Sequence, residues 1–251
     1  MNLKKTDFET LKKDKMEKVS PIERREFLKI GLAISGIFAG GTILSVVSNM
    51  NKVFASPEEF AGKYPYKPHY GMVIRQDRCI DCERCMEACV MTNDVPEYGY
   101  RTMILEKEVL DAIGQKKEFI PVLCNHCNNP PCVRACPTRA TYKDKKTGIV
   151  MMEYGKCIGC KTCVVACPYN ARYFNEEKHS IDKCNFCFDT RLSKGEKLTA
   201  CSAACPAGVR IFGDLSDTNS EVYKLIHQIA RPVWVLRPEV GAKPSVFYMK
   251  G

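Results

Sequence analysis

Cysteine is the residue type in this chain whose number and spacing could do chemistry. Sixteen cysteines in 251 residues are far above ordinary usage, and they fall into four groups of four with none left over. Group one comprises Cys79, Cys82, Cys85 and Cys89, and group two comprises Cys124, Cys127, Cys132 and Cys136. Group three comprises Cys157, Cys160, Cys163 and Cys167, and group four comprises Cys184, Cys187, Cys201 and Cys205. Thiolates at such short spacings are ligands of metal ions or of iron-sulfur clusters.

The spacing within the groups favours clusters. Groups one and three have the C-x2-C-x2-C-x3-C spacing of bacterial ferredoxins, in which three thiolates bind one [4Fe-4S] cluster and the fourth binds a neighbouring one. Groups two and four lengthen the middle gap, to four residues after Cys127 and to thirteen after Cys187. Because each [4Fe-4S] cluster takes four cysteine ligands, the sixteen thiols predict four [4Fe-4S] clusters.

Other uses of cysteine have to be weighed. Disulfides are common in exported chains, but three thiols crowded into a C-x2-C-x2-C run are poorly placed to join distant segments. Zinc accepts paired C-x2-C ligands, so groups two and four taken alone would also suit structural zinc sites. A zinc-binding scaffold module therefore stays as the alternative from another functional class. Since the chain offers no nucleophile with a base, no open metal site and no phosphate loop, we expect a protein that is not an enzyme.

The segments that must position the cysteines predict an α+β fold of duplicated bacterial-ferredoxin-like units. Apolar runs at residues 72–74 and 150–152 predict short strands that lead into groups one and three. An inserted β-hairpin is expected from residues 101–109 and 117–123, which bracket a turn. After group four, an amphipathic C-terminal helix is predicted from four apolar residues at helical spacing: Val222, Leu225, Ile226 and Ile229.

The first 55 residues have the features of a twin-arginine signal peptide. Arg24 and Arg25 precede an uncharged apolar stretch at residues 30–47, and residues 53–55 suit cleavage by a signal peptidase. Glycines make the stretch less hydrophobic than a good membrane span, so a retained anchor is the alternative reading. This route exports folded proteins, which lets clusters be inserted in the reducing cytoplasm. The remaining residues, 56–251, would form the cluster-binding domain.

The charge distribution also points to targeting. The chain has a net charge of +9, and nine Lys or Arg face six Asp or Glu in its first 29 residues. No stretch interleaves basic runs with aromatic residues, as a nucleic-acid-binding face does. We therefore expect no nucleic-acid partner, and we expect the twin-arginine translocase as a partner during export.

Four segments resemble a known family: residues 124–137 (CNHCNNPPCVRACP), 166–169 (ACPY), 182–184 (DKC) and 212–215 (FGDL). With the four groups, they make the chain from about Tyr70 to Tyr248 similar to the four-cluster [4Fe-4S] electron-transfer subunits of respiratory oxidoreductases. That family accompanies polysulfide, thiosulfate, tetrathionate, dimethyl sulfoxide and formate-dependent nitrite reductases. Some members replace one ligand by tryptophan. Here the one tryptophan, Trp234, lies beyond the last group, so all four clusters are expected to be cubanes.

The resemblance implies that the groups exchange ligands in a nested way. One cluster would take Cys79, Cys82, Cys85 and Cys205, and its neighbour would take Cys184, Cys187, Cys201 and Cys89. The other pair would take Cys124, Cys127, Cys132 and Cys167, and Cys157, Cys160, Cys163 and Cys136. Groups one and four would thus form one ferredoxin-like half, and groups two and three the other. Spacing alone does not give this pairing.

The resemblance also implies a function in anaerobic respiration. Single electrons would pass through the four clusters between a polytopic, quinone-handling membrane subunit and a periplasmic oxidoreductase or cytochrome. Further implied partners are a molybdopterin catalytic subunit or a multihaem cytochrome. The protein would be periplasmic and held to the outer face of the cytoplasmic membrane by a partner. The alternative of the same chemistry is a free periplasmic polyferredoxin shuttle.

A few residues outside the cysteine groups stand out by their positions. His126 lies between two expected ligands and is interpreted as a loop-packing residue, with a cluster-tuning hydrogen bond as the alternative. Arg139, Arg172 and Arg210 recur at equivalent places after three of the fourth cysteines and could neutralise cluster charge, dock a partner or be solvated surface. The tail at residues 241–251 resembles an extended segment that the family lays along neighbouring subunits.

Overall fold

The structure is a computed structural model that describes residues 64–111, 114–229 and 231–250. The signal peptide predicted at residues 1–55 lies outside these ranges. Ten strands and five α-helices follow one another in the described part of the chain, which is the mixed α+β content that the sequence predicts. None of the helices in these ranges is both long and apolar enough to cross a membrane.

Most elements are short, which leaves room for the cysteine loops between them. The strands are β1 (Tyr70–Arg75), β2 (Thr102–Asp111), β3 (Gly114–Leu123), β4 (Thr141–Lys143), β5 (Val150–Met152), β6 (Tyr173–Asn175), β7 (Ser180–Asp182), β8 (Arg210–Asp214), β9 (Val233–Trp234) and β10 (Val246–Met249). The helices are α1 (Arg84–Asn93), α2 (Pro131–Arg134), α3 (Thr162–Val165), α4 (Ala200–Ala203) and α5 (Glu221–His227). Single 3₁₀ turns lie at Gln76–Arg78, Tyr154–Lys156, Leu192–Lys194 and Pro238–Val240.

The largest sheet brings the first described strand beside the last one. Its order is β8-β1-β10-β9, with β10 parallel to β1 and the other pairs antiparallel. Successive residues of a strand point to opposite faces, so Met72 and Ile74 pack into the core that contains the cysteines. Val73 points the other way and packs in a second core with the apolar face of α5. Both faces of the sheet are therefore covered.

Three hairpins use the remaining strands. β2 and β3 pair along their whole length, which confirms the predicted inserted hairpin. β4 pairs with β5 between groups two and three, and β6 pairs with β7 between groups three and four. The predicted strands are confirmed as well, because β5 spans residues 150–152 and β1 contains residues 72–74.

The predicted C-terminal helix is present but shorter than its apolar stripe. The Oγ of Ser220 accepts a hydrogen bond from the backbone N–H of Tyr223, which caps the start of α5. The helix ends at His227. Ile229 therefore lies beyond it and is 42% exposed, so the prediction that it shares the buried stripe is wrong.

The C-terminal tail is part of the main sheet rather than a free arm. All four residues of β10, Val246 to Met249, are buried, and the strand lies between β1 and β9. The expectation that this segment lies along a neighbouring subunit is therefore wrong for β10, which lies within the chain's own sheet. A strand with apolar side chains on both faces is stabilised more by packing between two apolar cores of its own chain than by leaving one face exposed to solvent.

Candidate iron-sulfur centres

The sixteen cysteines all lie in the described residues and are free thiols, so disulfides do not account for them. The third cysteine of every group lies on a short helix: Cys85 on α1, Cys132 on α2, Cys163 on α3 and Cys201 on α4. The first two cysteines of each group precede that helix. The fourth lies at or just beyond its end, except on the longer α1, which carries Cys89 within it.

Three cavities are each lined by four thiols that come from two different groups. We name them site A (Cys79, Cys82, Cys85, Cys205), site B (Cys89, Cys184, Cys187, Cys201) and site D (Cys136, Cys157, Cys160, Cys163). The three cavities are similar in size, as expected of three sites for the same kind of group. The thiols surround open space rather than a point: among the described residues, no three Cys, His, Asp or Glu side chains are grouped closely enough to hold one metal ion.

The remaining four thiols form site C, which comprises Cys124, Cys127, Cys132 and Cys167. Burial, and then the thiols Cys124, Cys132 and Cys167, raise the pKa of Cys127 to about 12. Burial and the thiols Cys124 and Cys132 likewise raise the pKa of Cys167. Because such effects need short separations, these four side chains converge as well.

The register of the main sheet explains how Cys205 reaches group one. Ile74 of β1 pairs with Arg210 of β8 in the antiparallel ladder. Cys79 lies five residues after Ile74, and Cys205 lies five residues before Arg210. The two cysteines therefore leave the same end of the ladder together.

The β4–β5 hairpin repeats this arrangement for site D. Thr141 of β4 pairs with Met152 of β5. Cys136 lies five residues before Thr141, and Cys157 lies five residues after Met152. An identical register thus delivers the fourth cysteine of group two to group three.

Thiols of adjacent sites pack in shared core clusters and interact electrostatically, which orders the sites in a row. Burial is the largest cause of the raised pKa of Cys85, Cys184 and Cys163. A thiol of the adjacent site also raises each of these pKa values: Cys201 acts on Cys85, Cys124 on Cys184 and Cys132 on Cys163. These pairs join A to B, B to C and C to D. Sites A and D therefore lie at the two ends of the row.

The two end sites reach the surface. Cys82 of site A and Cys160 of site D are exposed, whereas every cysteine of site B is buried. An isoleucine beside each end site is also exposed, Ile80 to 66% and Ile158 to 67%. An apolar side chain next to an exposed ligand is the arrangement that a docking partner would cover.

Two of the arginines that follow the cysteine groups are buried against thiols. Arg172 and Arg210 are 1% and 2% exposed, so the interpretation as solvated surface is wrong for both. Arg172 Nη2 donates to Cys132 Sγ at 3.0 Å, and its Nη1 donates to Thr141 Oγ1 at 2.9 Å. Arg210 lines site A, and its two terminal nitrogens lie buried without an oxygen or nitrogen acceptor among the described residues.

Arg139 is not equivalent to them. It is exposed and has a φ of +57°, in the turn three residues after Cys136. The matching turn positions of groups three and four are Asn170 and Gly208, which also have positive φ. The equivalence drawn from the sequence is therefore wrong, because Arg172 and Arg210 lie two residues further along.

His126 packs inside the protein, as expected. Its ring stacks on Phe186 with centroids 3.8 Å apart, and its Nδ1 accepts a hydrogen bond from the backbone N–H of Val150 at 3.1 Å. The proton of the neutral ring then lies on Nε2, which has no partner among the described residues. Burial lowers the pKa of His126, so the ring is neutral.

The buried donors test whether the sites suit an iron-sulfur cluster. A buried guanidinium such as that of Arg210 requires an anionic partner, and thiols are the acceptors beside it. The buried hydroxyl of Tyr169 has Cys127 as its neighbour. Burial raises the pKa of eight of the sixteen thiols, whereas a bound metal keeps its ligand thiols ionised. The donor set fits a group that takes four thiolates and stays negatively charged, which is the chemistry of a [4Fe-4S] cluster.

Sequence reasoning missed a polar network beside site B. Arg101 Nη2 donates to Asp182 Oδ1 at 2.9 Å, and Arg101 Nη1 donates to Asn93 Oδ1 at 3.1 Å. The amide of Asn93 in turn donates to the sulfur of Cys187 at 3.5 Å. Asp182 lies in the DKC segment, which supports the family resemblance but does not indicate that Asp182 pairs with Arg101. Nothing in the sequence around Arg101 pointed to site B.

Comparison with known proteins agrees with this chemistry. The family described as "4Fe-4S dicluster domain" matches residues 115–215, and the family described as "4Fe-4S binding domain" matches residues 76–91. A tetrathionate reductase subunit of Salmonella typhimurium is 39% identical over 85% of this chain and 84% of its own length. Protein NrfC of Escherichia coli is 36% identical over 89% and 93%, respectively. A polysulfide reductase component of Wolinella succinogenes is 37% identical over 71% and 92%.

These similarities cover most of both sequences. They include every cysteine group, because the two family matches span residues 76–91 and 115–215. The 4Fe-4S assignment rests on the same thiols that converge in the structure. The chain therefore belongs to the family of 4Fe-4S electron-transfer subunits of respiratory reductases that includes these relatives.

Proposed function

We propose that this protein passes single electrons through four [4Fe-4S] clusters arranged in the order A, B, C and D. The observation that carries the proposal is the packing of the four thiol sets in sequence. Cysteines of sites A, B and C share one core cluster, and Cys132 of site C shares another with Cys163 of site D. When bound, such clusters supply reversible one-electron storage. The chain supplies the ligands, buried donors and insulation around them.

The nested ligand exchange is part of this proposal. Sites A and B would be bound by groups one and four, and sites C and D by groups two and three. The linings of the three cavities and the convergence at site C support this assignment. The matching registers of β1–β8 and β4–β5 support two ferredoxin-like halves built on the same plan.

We further propose the setting in which this relay works. The names of the relatives, which are components of tetrathionate and polysulfide reductases, support a non-catalytic role within a larger complex. The partners would be a polytopic quinone-handling membrane subunit and a molybdopterin catalytic subunit or multihaem cytochrome. The protein would be exported by the twin-arginine route and held at the periplasmic face of the membrane. A free polyferredoxin shuttle is the alternative, and osmotic shock would release a shuttle but not a membrane-bound subunit.

Metal analysis of anaerobically purified protein tests the number of clusters. Four cubanes on sixteen thiols should give about sixteen iron and sixteen acid-labile sulfide per chain. A colourless protein with zinc and no sulfide would identify the scaffold alternative. A reproducible value near twelve iron would contradict four complete cubanes.

Paired cysteine substitutions test the nested exchange. Cys205→Ser combined with Cys82→Ser removes two ligands of site A and should alter one cluster signal in a redox-poised electron paramagnetic resonance titration. Cys205→Ser combined with Cys187→Ser should alter two signals, since Cys187 belongs to site B. The reverse outcome would mean that each sequence group closes its own cluster.

A further inference from the structure

One almost fully buried basic side chain lies at each junction of the row of sites. Arg210 lies between sites A and B, Lys183 between sites B and C, and Arg172 between sites C and D. Each is at most 2% exposed. Long basic side chains are seldom buried in this way unless they have anionic partners.

Arg172 contacts site C directly and acts electrostatically on site D. Its Nη2 donates to Cys132 Sγ of site C at 3.0 Å. Burial raises the pKa of Cys163 in site D, and the charge and hydrogen bond of Arg172 oppose that rise. One guanidinium therefore serves a thiol of each site.

Arg210 holds the corresponding position between sites A and B. It lines the cavity of site A together with Cys85. Burial disfavours its charge, but the thiols Cys201 of site B and Cys85 of site A outweigh this, so the pKa of Arg210 is raised. Its terminal nitrogens have no other acceptor among the described residues.

Lys183 fills the middle junction. Its Nζ donates to the backbone carbonyl of Cys184, a site B residue, at 2.7 Å, and also to the carbonyl of Val150. The thiols that interact with it electrostatically are Cys124, Cys184 and Cys132, from sites C and B. The pattern of one basic residue per junction is therefore complete.

We propose that Arg172 and Arg210 act as shared fixed charges, each raising the reduction potentials of two neighbouring clusters together. This rests on the proposed function, because it requires four clusters in the order A to D. Reduction adds negative charge to a cluster, so a nearby cation favours the reduced form. Since each guanidinium is always charged and acts on thiols of both sites, it shifts the two potentials in the same direction and leaves the difference between them nearly unchanged.

Removal of each charge in the cluster-loaded protein tests this directly. Arg172→Gln should lower the potentials of two of the four clusters, with at least a tenfold shift in each reduction equilibrium, which is about 59 mV for one electron. Arg210→Gln should lower the other two. The double variant should therefore lower all four, which can be read from a redox-poised paramagnetic resonance titration without assigning the signals.

Controls separate charge from packing. Arg172→Lys and Arg210→Lys keep the positive charge and should leave all four potentials within the wild-type error. Arg139→Gln removes an exposed charge near the same loops and should also leave them unchanged. A tenfold shift in the reduction equilibria of the lysine variants would overturn the proposal, and this measurement stays available if a glutamine variant loses its clusters.

The remaining outcomes are also decisive. Glutamine variants that load sixteen irons but shift no potential, or only one, would overturn the inference while leaving the relay intact. Wild-type protein that holds fewer than four clusters would instead remove the proposed function on which the inference depends. Iron content and potentials thus distinguish the two failures.

Discussion

Asp182 is a completely buried carboxylate on which several donors converge. Arg101 Nη2 lies 2.9 and 3.1 Å from its two oxygens, and the hydroxyls of Tyr154 and Tyr173 donate to it at 3.1 and 3.2 Å. The backbone N–H of Lys183 adds a further hydrogen bond. A buried ion pair contributes little net stability, but loss of one partner leaves the other charge unpaired in a low-dielectric interior.

We therefore expect Asp182→Asn to destabilise the loaded protein by about 3–5 kcal/mol, because Arg101 loses its counter-charge. The rate of cluster bleaching in denaturant measures the lost stability. The control is Glu153→Gln, which breaks the exposed ion pair with Lys156 and should destabilise the protein by only about 0–1 kcal/mol. Burial favours a higher pKa for Asp182, but Arg101 outweighs it and the pKa is lowered. Its stabilisation is thus present above the unfolded pKa of about 3.9 and is lost as pH falls through the lower folded value. Equal bleaching rates of the two variants would contradict this account.

Among the elements, β10 has the largest consequence for the fold. It completes the main sheet and is anchored to group two, since the backbone N–H of Ser245 donates to the carbonyl of Asn125 at 2.8 Å. Burial of its four side chains contributes about 1.5–3 kcal/mol each. The sum is comparable with the free energy of unfolding of a typical domain, about 5–15 kcal/mol.

Truncation after Pro244 should accordingly abolish soluble, cluster-loaded protein. Truncation after Met249 removes the exposed ion pair of Lys250 with Glu118 but keeps β10, so it should leave the iron content unchanged. Iron per chain after anaerobic purification measures both. Full iron loading without β10 would mean that the sheet is dispensable for the sites.

The limits of sequence reasoning are also clearest at the level of elements. The β2–β3 hairpin and β5 were predictable because their apolar patterns and turns are local in the sequence. The place of β10 was not, because the burial of both faces depends on β1, which lies more than 150 residues earlier. Likewise the cysteine spacing predicts the ligands of the clusters, whereas the burial of Arg172 and Arg210 depends on how the halves pack.

At the scale of the whole molecule, the two exposed end sites differ in charge. The segment around site A, residues 77–87, carries four acidic and two basic residues. Around site D, residues 134–139 and 153–161 carry four basic residues and one acidic residue. Glu83 and Lys161 occupy matching positions, since each has a positive φ, follows the exposed cysteine and precedes a helix. Opposite charges at the two ends favour partners of different charge.

Small oxidants of opposite charge can test this asymmetry. Ferricyanide, which is anionic, should oxidise the reduced protein faster at low salt than at high salt. Lys161→Glu should slow this oxidation severalfold, because it replaces a positive charge beside site D with a negative one. Glu83→Lys should slow a cationic cobalt hexaammine oxidant in the same way. Stopped-flow rates at low and high salt measure both effects. Lys161→Glu that slows both oxidants equally would contradict a charge effect.

The parallel pairing of β10 with β1 also has a consequence for biosynthesis. Sites C and D draw all their cysteines from residues 124–167, so that half can close while the ribosome is still adding residues. Sites A and B span residues 79–205, and the sheet that aligns their ends is complete only when β10 has been made. On the proposed export route, which carries folded proteins, β10 would therefore have to be in place before export. A chain that lacks β10 cannot close this sheet, and we expect it to be retained in the compartment where clusters are supplied.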